Sequence, residues 1–94
     1  MAHILIHHKI EDYGKWKPAF DAHSSYRAEN GSMGGKVFRN ADDPNDLFIL
    51  LEINSIDNAK KFVSSDATKE AMKNAGVIGM PEIYFFDEIA ETFK

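Results

Sequence analysis

The segment LFILLEI at residues 47–53 decides the fold, because six of its seven residues are apolar. A strand with one face in water alternates apolar and polar residues, whereas this segment offers apolar side chains to both faces. We therefore expect a central strand that is covered on both sides. The preceding segment ADDPND, at residues 41–46, is rich in turn formers and predicts a hairpin loop that leads into this strand.

Upstream of this hairpin, the sequence predicts two strands and one helical region. The strands are at residues 3–9 and 35–40, and the helical pattern runs between them from Asp12, a plausible N-cap, to residue 30. Gly31 follows at the position where a left-handed C-cap residue is expected. Pro18 lies inside the pattern, so we expect either a kink or a short turn followed by a regular helix that begins near residues 16–18.

Downstream of the hairpin, the sequence predicts a second helical region and a last strand. Ser55 is expected to cap the first helix, and Asp66 is expected to cap a further helical stretch that ends at Gly76. The apolar segment VIGMP at residues 77–81 is predicted to be a loop. The last strand is predicted at residues 82–87, and the tail after it has no assigned structure.

The resulting order β-α-β-β-α-β predicts an α+β fold, the ferredoxin-like sandwich, with a four-stranded antiparallel sheet and the helices on one face. At 94 residues the chain forms one domain, residues 1–94. The other sheet face is too apolar to leave in water, so we predict a homodimer through the sheet face opposite the helices. We assign Ile4, Ile6, Phe48 and Leu50 to the helix side, and Leu5, Leu47, Ile49 and Leu51 to the dimer side.

Composition excludes several classes of function. Acidic residues outnumber basic ones by 15 to 11, and the basic residues are scattered, so no nucleic acid partner is expected. No segment approaches the roughly 20 apolar residues of a membrane span, and the N-terminus does not have the pattern of a signal peptide. The chain has no cysteine, which excludes disulfides and thiolate metal sites and suits a cytoplasmic protein.

Three segments carry a resemblance to a known family: IEDYGKWKPAFDAH at residues 10–23, RNADDPNDLFILLEI at residues 39–53 and AGVIGMPEIYFFDE at residues 75–88. The chain resembles the dimeric α/β-barrel superfamily, in particular small proteins similar to antibiotic biosynthesis monooxygenases. The resemblance implies that two subunits pack sheet to sheet and that a small, often aromatic molecule binds between the sheet and the helices. Some members oxidise quinol-type substrates without metal or flavin, so no cofactor is expected. Others have no known activity, and the fold does not transfer the reaction.

Two polar residues on the first helix are the candidate catalytic residues. Helical spacing places His23 and Arg27 on the same face as Trp16 and Phe20. If this face borders a cavity, His23 is suited to act as a base or donor and Arg27 to hold an anionic oxygen. The alternatives are a histidine satisfied at the edge of the core, and a helix-end arginine that is paired with a carboxylate.

The two adjacent histidines of the first strand point to opposite faces. His8 shares the helix-side face with Ile4 and Ile6, where it would meet Trp16 or Tyr13 at a pocket mouth. The alternative, which the strand-end position favours, is a partly exposed residue with a local hydrogen bond. His7 is expected to make a polar contact across the dimer interface. No histidine or carboxylate spacing predicts a metal site. The further ligand-binding candidates are Tyr13, Trp16, Phe20, Met80 and Tyr84. The alternative is plain packing, in the core for the aromatic residues and in a loop for Met80.

Two functions therefore remain open at the level of sequence. The first is an enzyme that resembles cofactor-independent monooxygenases, with an apolar or aromatic ligand between the first helix and the sheet. The second is a non-catalytic dimeric protein that binds a ligand or a partner. A void between Trp16, His23 and the first strand is required by the first function, whereas a packed interior would exclude it.

Overall fold

The computed structural model describes residues 2–90, which form a four-stranded antiparallel sheet with four helices against one of its faces. The element order is β-α-α-β-β-α-α-β, so each predicted helical region is divided in two and the predicted ferredoxin-like α+β fold is confirmed. The spatial order of the strands is β2-β3-β1-β4. The strands are β1 (Ala2–Ile10), β2 (Ser32–Asn40), β3 (Asp43–Ile53) and β4 (Val77–Asp87), and the helices are α1 (Tyr13–Ala22), α2 (Ser24–Glu29), α3 (Ile56–Ser64) and α4 (Asp66–Asn74).

The first helical region breaks at His23 and not at Pro18. Helix α1 begins at Tyr13, so the predicted start near residues 16–18 is wrong. The main-chain carbonyl of Asp12 accepts hydrogen bonds from the amides of Lys15 and Trp16, at 3.2 and 3.0 Å, and this closes the first turn ahead of the proline. Burial of the Trp16 side chain, which is 2% exposed, holds that turn against the sheet.

The second helical region has serine caps at both of its starts. The predicted cap at Ser55 is confirmed, because its hydroxyl accepts a hydrogen bond from the amide of Asn58 at 3.2 Å. The next cap is Ser65 and not Asp66, since the Ser65 hydroxyl accepts from the amide of Thr68 at 3.2 Å. Asp66 is instead the first residue of α4, where its charge is favourable to the helix dipole.

Strand β4 begins earlier than the sequence predicts. Residues 77–81, predicted to be a loop, pair with the end of β1 through Lys9 opposite Ile78 and Ile10 opposite Val77. The register between β1 and β4 shifts between His7 and Lys9, because residues 79–81 of β4 lie opposite His8 alone, which is the signature of a β-bulge in β4. The bulge lets both strands continue, and this explains why the segment is not a loop.

The helix side of the sheet carries a different set of β3 residues from the predicted one. Ile4 pairs with Leu51 and Ile6 with Ile49, so the odd-numbered residues of β3 face the helices. The predicted assignment of Phe48 and Leu50 to the helix side is therefore wrong. Side chains alternate with a period of two, and an error of one residue moves the whole strand to the other face. The buried apolar core is Ile4, Ile6, Ile10, Trp16, Leu47, Ile49, Leu51, Ile53, Ala59 and Ala75.

The opposite side of the sheet, here called the open face, is also rich in large apolar side chains. Leu5 lies between Leu50 on β3 and Tyr84 on β4, and Phe38 on β2 lies opposite Phe48. Tyr84 is 51% exposed and Phe38 is 47% exposed. The open face comprises His3, Leu5, His7, Lys36, Phe38, Phe48, Leu50, Glu52, Glu82, Tyr84 and Phe86. No helix within residues 2–90 has the length and apolar character needed to cross a membrane.

Candidate functional site

A cavity of about 70 Å³ lies between the helices and the helix side of the sheet. It occupies the position that the sequence predicts, against Trp16, His23 and the first strand. Most of its wall is aliphatic or aromatic. Its polar wall residues are His8, His23, Tyr26, Arg27 and Thr68. An apolar cavity with a few polar groups is the usual composition of a small-molecule site.

The aromatic part of the wall comes mainly from α1. Trp16 and Phe20 are one helical turn apart and stack with their ring centroids 4.6 Å apart and an interplanar angle of 20°. The rings of Tyr26 on α2 and Phe62 on α3 are in contact, with their centroids 5.6 Å apart, and they extend this wall to the other helices. The two predicted residues Trp16 and Phe20 therefore line the cavity while they also cover the sheet.

His8 and Thr68 are the two buried polar residues of the wall. His8 is 6% exposed, so the favoured prediction of a partly exposed strand-end histidine is wrong. Its ring contacts Trp16 edge to face, with the centroids 6.0 Å apart. Its Nδ1 atom is buried and has no hydrogen-bond partner among residues 2–90. Burial lowers the pKa of His8, so the neutral imidazole is favoured near neutral pH.

His23 lies at the rim of the cavity. It is exposed, and it links the C-terminus of α1 to the N-terminus of α2. Its ring meets Tyr26 edge to face at 6.3 Å. The sequence prediction placed His23 on a continuous helix after Phe20, and the break at this residue instead turns it towards solvent.

Arg27 is half-buried and is engaged by the end of α1. Its Nη1 atom donates to the main-chain carbonyl of Phe20 at 2.6 Å, and its guanidinium lies 3.7 Å from the centroid of the Phe20 ring. A cation at the C-terminal carbonyls of a helix is favourable. Burial lowers the pKa of Arg27, and within residues 2–90 the side chain forms no ion pair. The alternative prediction of a carboxylate partner is therefore wrong.

The Phe20–Arg27 stack separates the cavity from a larger groove. This outer groove has a volume of about 400 Å³ and lies between α2 and the edge strand β2. Its β2 side is formed by residues 32–37, and a Cβ atom added at Gly34 would meet no atom of a non-neighbouring residue within 4 Å. Phe20, Arg27, Ile49 and Leu51 line both spaces, so the two spaces adjoin.

Three predicted ligand-binding residues lie outside the cavity. Tyr13 contacts Trp16 from the outer side and lies under the guanidinium of Arg39, 5.0 Å from the ring centroid. Met80 is 91% exposed on β4 and borders a different groove next to α4. Tyr84 is on the open face, because it pairs with Leu5. Strand alternation and the extension of β4 explain the last two corrections.

Several wall residues were missed by the sequence prediction. Thr68, Ala71, Met72 and Ala75 come from α4 and its C-terminal cap, and Phe62 comes from α3. Their spacing indicates a helix face that packs on the sheet. That spacing carries no information about which of them border a void, because the void depends on how α4 meets α1.

The open face carries a polar cluster, here called the His7 cluster, of His7, Asp46 and Glu82. His7 Nε2 lies 2.7 Å from Asp46 Oδ1, and His7 Nδ1 lies 2.9 Å from Glu82 Oε1. A neutral imidazole has one N–H, so both contacts are hydrogen bonds only when the ring is protonated. The ring also stacks on Phe48, with the centroids 4.2 Å apart. Within residues 2–90, no group of three or more metal-ligating side chains is placed to hold a metal ion.

Comparison with known proteins identifies the fold and leaves the reaction open. No protein-family model and no curated protein matches this sequence. The structure is similar to a candidate antibiotic biosynthesis monooxygenase from Bordetella bronchiseptica, with a TM-score of 0.78 and 12% sequence identity over 95% of this chain and 97% of that chain. It is also similar to SnoaB, a cofactor-independent oxygenase from Streptomyces nogalater, with a TM-score of 0.75 and 11% identity over 96% of this chain and 94% of that chain.

A third similar structure, a candidate antibiotic biosynthesis monooxygenase from Caulobacter crescentus CB15, has a TM-score of 0.71 and 18% identity over 95% of this chain and 90% of that chain. The chain thus has the fold of antibiotic biosynthesis monooxygenase-like proteins, as the sequence resemblance predicts. At these identities the likeness shows the fold, and fold alone does not assign a reaction.

Proposed function

We propose that this chain binds a small apolar or aromatic molecule in the cavity between α1 and the sheet, and that it acts as a cofactor-independent monooxygenase-like enzyme. The observation that carries the proposal is the cavity itself, an aromatic-walled space with few polar groups at the position predicted from the sequence. The presence of the same fold in SnoaB, a cofactor-independent oxygenase, supports it. Neither a metal nor a flavin is part of the proposal.

The size of the cavity constrains how a ligand binds. A cavity of about 150 Å³ encloses benzene, and the space here is about 70 Å³. Typical ligand sites measure about 300–1,000 Å³. A ligand with one or more complete rings therefore enters only if the Phe20–Arg27 stack moves and the outer groove of about 400 Å³ is included. In this proposal Arg27 releases the carbonyl of Phe20 and pairs with an oxygen of the ligand.

The proposed chemistry uses the two residues at the mouth of the site. His23 at the rim removes a proton from a ligand hydroxyl, and Arg27 stabilises the resulting oxyanion. The second candidate function is a binding protein without turnover. The observation that favours it is that Arg27 is already engaged by the Phe20 carbonyl while His23 faces solvent.

The open face is proposed to bind a second copy of the chain. It presents Leu5, Leu50 and Phe48 at its centre, with exposed aromatic residues on both sides. A patch of this kind is rarely left in water on a monomer. A second copy would cover it in an isologous, face-to-face contact, which is the commonest arrangement of homodimers.

A cavity-filling pair of variants tests the proposed function. Ala71 lines the cavity, whereas Ala67, one turn earlier on α4, is exposed. With a panel of quinols, we expect oxygen consumption by the wild-type protein and by Ala67→Phe, and loss of both binding and turnover in Ala71→Phe. Binding without oxygen consumption would support the second candidate. Turnover that persists in folded Ala71→Phe would exclude the cavity as the site.

A further inference from the structure

We infer that the imidazole of His8 is the polar anchor at the buried end of this site, and that it binds a neutral hydroxyl group of the ligand. This inference rests on the proposed ligand cavity and adds the chemical class of the group that enters it first. The sequence predicts His23 and Arg27 as the candidate catalytic residues, whereas this inference concerns the side chain of His8.

The first line of support is the unsatisfied nitrogen. Buried polar atoms in folded proteins nearly always have a hydrogen-bond partner. His8 is 6% exposed, its ring forms part of the cavity wall, and its Nδ1 has no partner among residues 2–90. Leaving such an atom unpaired destabilises the fold, so a ligand hydroxyl that draws this edge of the ring towards the cavity would gain a hydrogen bond.

The second line of support is the local backbone. The β1–β4 register shifts around His8, while on the other side His8 remains directly opposite Leu47 of β3. The extra residues at this shift, 79–81, belong to β4, so β1 keeps its regular alternation at His8, and bulges are common next to functional sites. The ring of His8 packs edge to face against the indole of Trp16, with the ring centroids 6.0 Å apart and an interplanar angle of 62°. The imidazole is thus held in place by the strand and by the main aromatic residue of the cavity.

The surroundings of His8 select the chemistry of the ligand. The cavity walls include the apolar residues Ile6 and Ile49, and the guanidinium of Arg27 is engaged by the Phe20 carbonyl, so an anionic group beside His8 would lose its hydration without a free counter-charge. Burial keeps the imidazole neutral, with one nitrogen as donor and the other as acceptor. A hydroxyl both donates and accepts, and it therefore pairs with either tautomer.

The volume restricts how the hydroxyl arrives. A space of about 70 Å³ admits a hydroxyl and the ring edge that bears it, and excludes a fused ring system. The ligand therefore enters edge-first with its hydroxyl leading, as a phenol or hydroquinone would. The remainder of the molecule lies towards the Phe20–Arg27 stack and the rim.

The test compares two probes that have a similar size and differ in the hydroxyl, phenol and fluorobenzene. Trp16 is the only tryptophan of the chain and contacts His8, so its fluorescence reports binding directly. We expect the wild-type protein to bind phenol about tenfold more tightly than fluorobenzene, the factor that corresponds to one buried hydrogen bond. In His8→Leu the two affinities should become equal, with fluorobenzene binding retained.

The control is His3→Gln, since His3 is on the same strand and faces the open side. This variant should keep the tenfold preference. If His8→Leu does not fold, as judged by circular dichroism, His8→Gln replaces it and should reduce the preference. Equal binding of both probes to the wild-type protein would overturn the inference and leave the cavity proposal intact. A preference that survives in His8→Leu would also overturn it. If neither probe binds, the proposed ligand site fails together with the inference.

Discussion

His7 and His8 are neighbours in the chain and differ in almost every physical respect. His8 faces the helices, is buried, and has a ring nitrogen without a partner. His7 faces the open side, and both of its ring nitrogens lie within hydrogen-bonding distance of carboxylates, those of Asp46 and Glu82. The two side chains meet different surroundings because successive side chains point to opposite faces of a sheet.

The contrast indicates what each face is suited to meet. An unpaired polar group next to a void gains a hydrogen bond when a small molecule enters, so the helix side favours a ligand. The His7 cluster is a small polar part of the open face, and its two carboxylates already contact a side chain of the same chain. Its apolar neighbours, such as Phe48 and Leu50, gain from the loss of water contact. The open face is therefore suited to a protein surface, and we propose that this surface is a second copy.

The largest expected effect is a difference in stability between substitutions at two adjacent residues of β3. Ile49 is 1% exposed on the helix side, whereas Leu50 is on the open face. Ile49→Ala should lower the free energy of unfolding by about 2–5 kcal/mol, because it opens a cavity in the core. Leu50→Ala should lower the free energy of unfolding by clearly less, at concentrations where the protein is monomeric. Urea unfolding of both variants measures the difference, and equal losses would contradict the assignment of faces.

The next effect concerns association through the open face. Leu5 lies at the centre of that face, so Leu5→Lys would place an unpaired charge in the proposed interface. We expect the dimer dissociation constant to rise at least about 100-fold, which corresponds to about 3 kcal/mol. Sedimentation equilibrium measures it, with the exposed helix variant Lys61→Glu as control. A wild-type protein that is monomeric at micromolar concentration would refute the interface.

A smaller effect is the dependence of stability on pH that arises from His8. Burial lowers the pKa of His8 in the folded state, so the unfolded chain binds more protons as the solution becomes acidic. This contribution to stability is complete above about pH 6.5, the ordinary histidine value, and is lost as the pH falls. The free energy of unfolding should therefore decline from pH 7 to pH 5. The decline should be shallower in His8→Leu, and an unchanged slope would contradict the neutral, buried state of His8.

The smallest effect is expected from the carboxylates of the His7 cluster at lower pH. The amide of Asn40 donates to Asp46 at 3.0 Å, and this bond and the contact with His7 lower the pKa of Asp46. Its stabilising contribution is present above about pH 4 and disappears as the pH falls through the lowered value. Acid unfolding monitored by circular dichroism should therefore be less steep in Asp46→Asn. An identical acid transition in the two proteins would show that the cluster does not stabilise the fold.

The sequence predicts the fold well because the fold depends on the order of elements and on a few strong local signals. The serine at residue 55 and the glycines at residues 31 and 76 lie at helix ends as expected, and Gly31 and Gly76 have φ values of 100° and 85°. The faces of β3 were not predictable, because a strand that is apolar on both sides contains no alternation. Only its pairing with β1 decides which set meets the helices.

The candidate site is partly predictable for the same reasons. The apolar face of the first helix indicates Trp16 and Phe20 at the sequence level, and both residues line the cavity. The burial of His8 depends on how Trp16 of α1 covers the end of β1, which leaves no sequence signal. The position of His23 depends on a helix break that the periodicity does not show. Because of this tertiary packing, His8 is the histidine buried in the cavity wall, whereas His23 lies at the rim.

The most direct measurement is a nitrogen-15 NMR spectrum of the histidine side chains, recorded as phenol is added. His7 and His8 serve as each other's control, since they are adjacent in β1 and lie on opposite faces. We predict that the ring nitrogen resonances of His8 shift in proportion to the phenol bound, while those of His7 do not move. A shift at His7, or a saturated phenol complex in which the His8 resonances stay unchanged, would contradict the account.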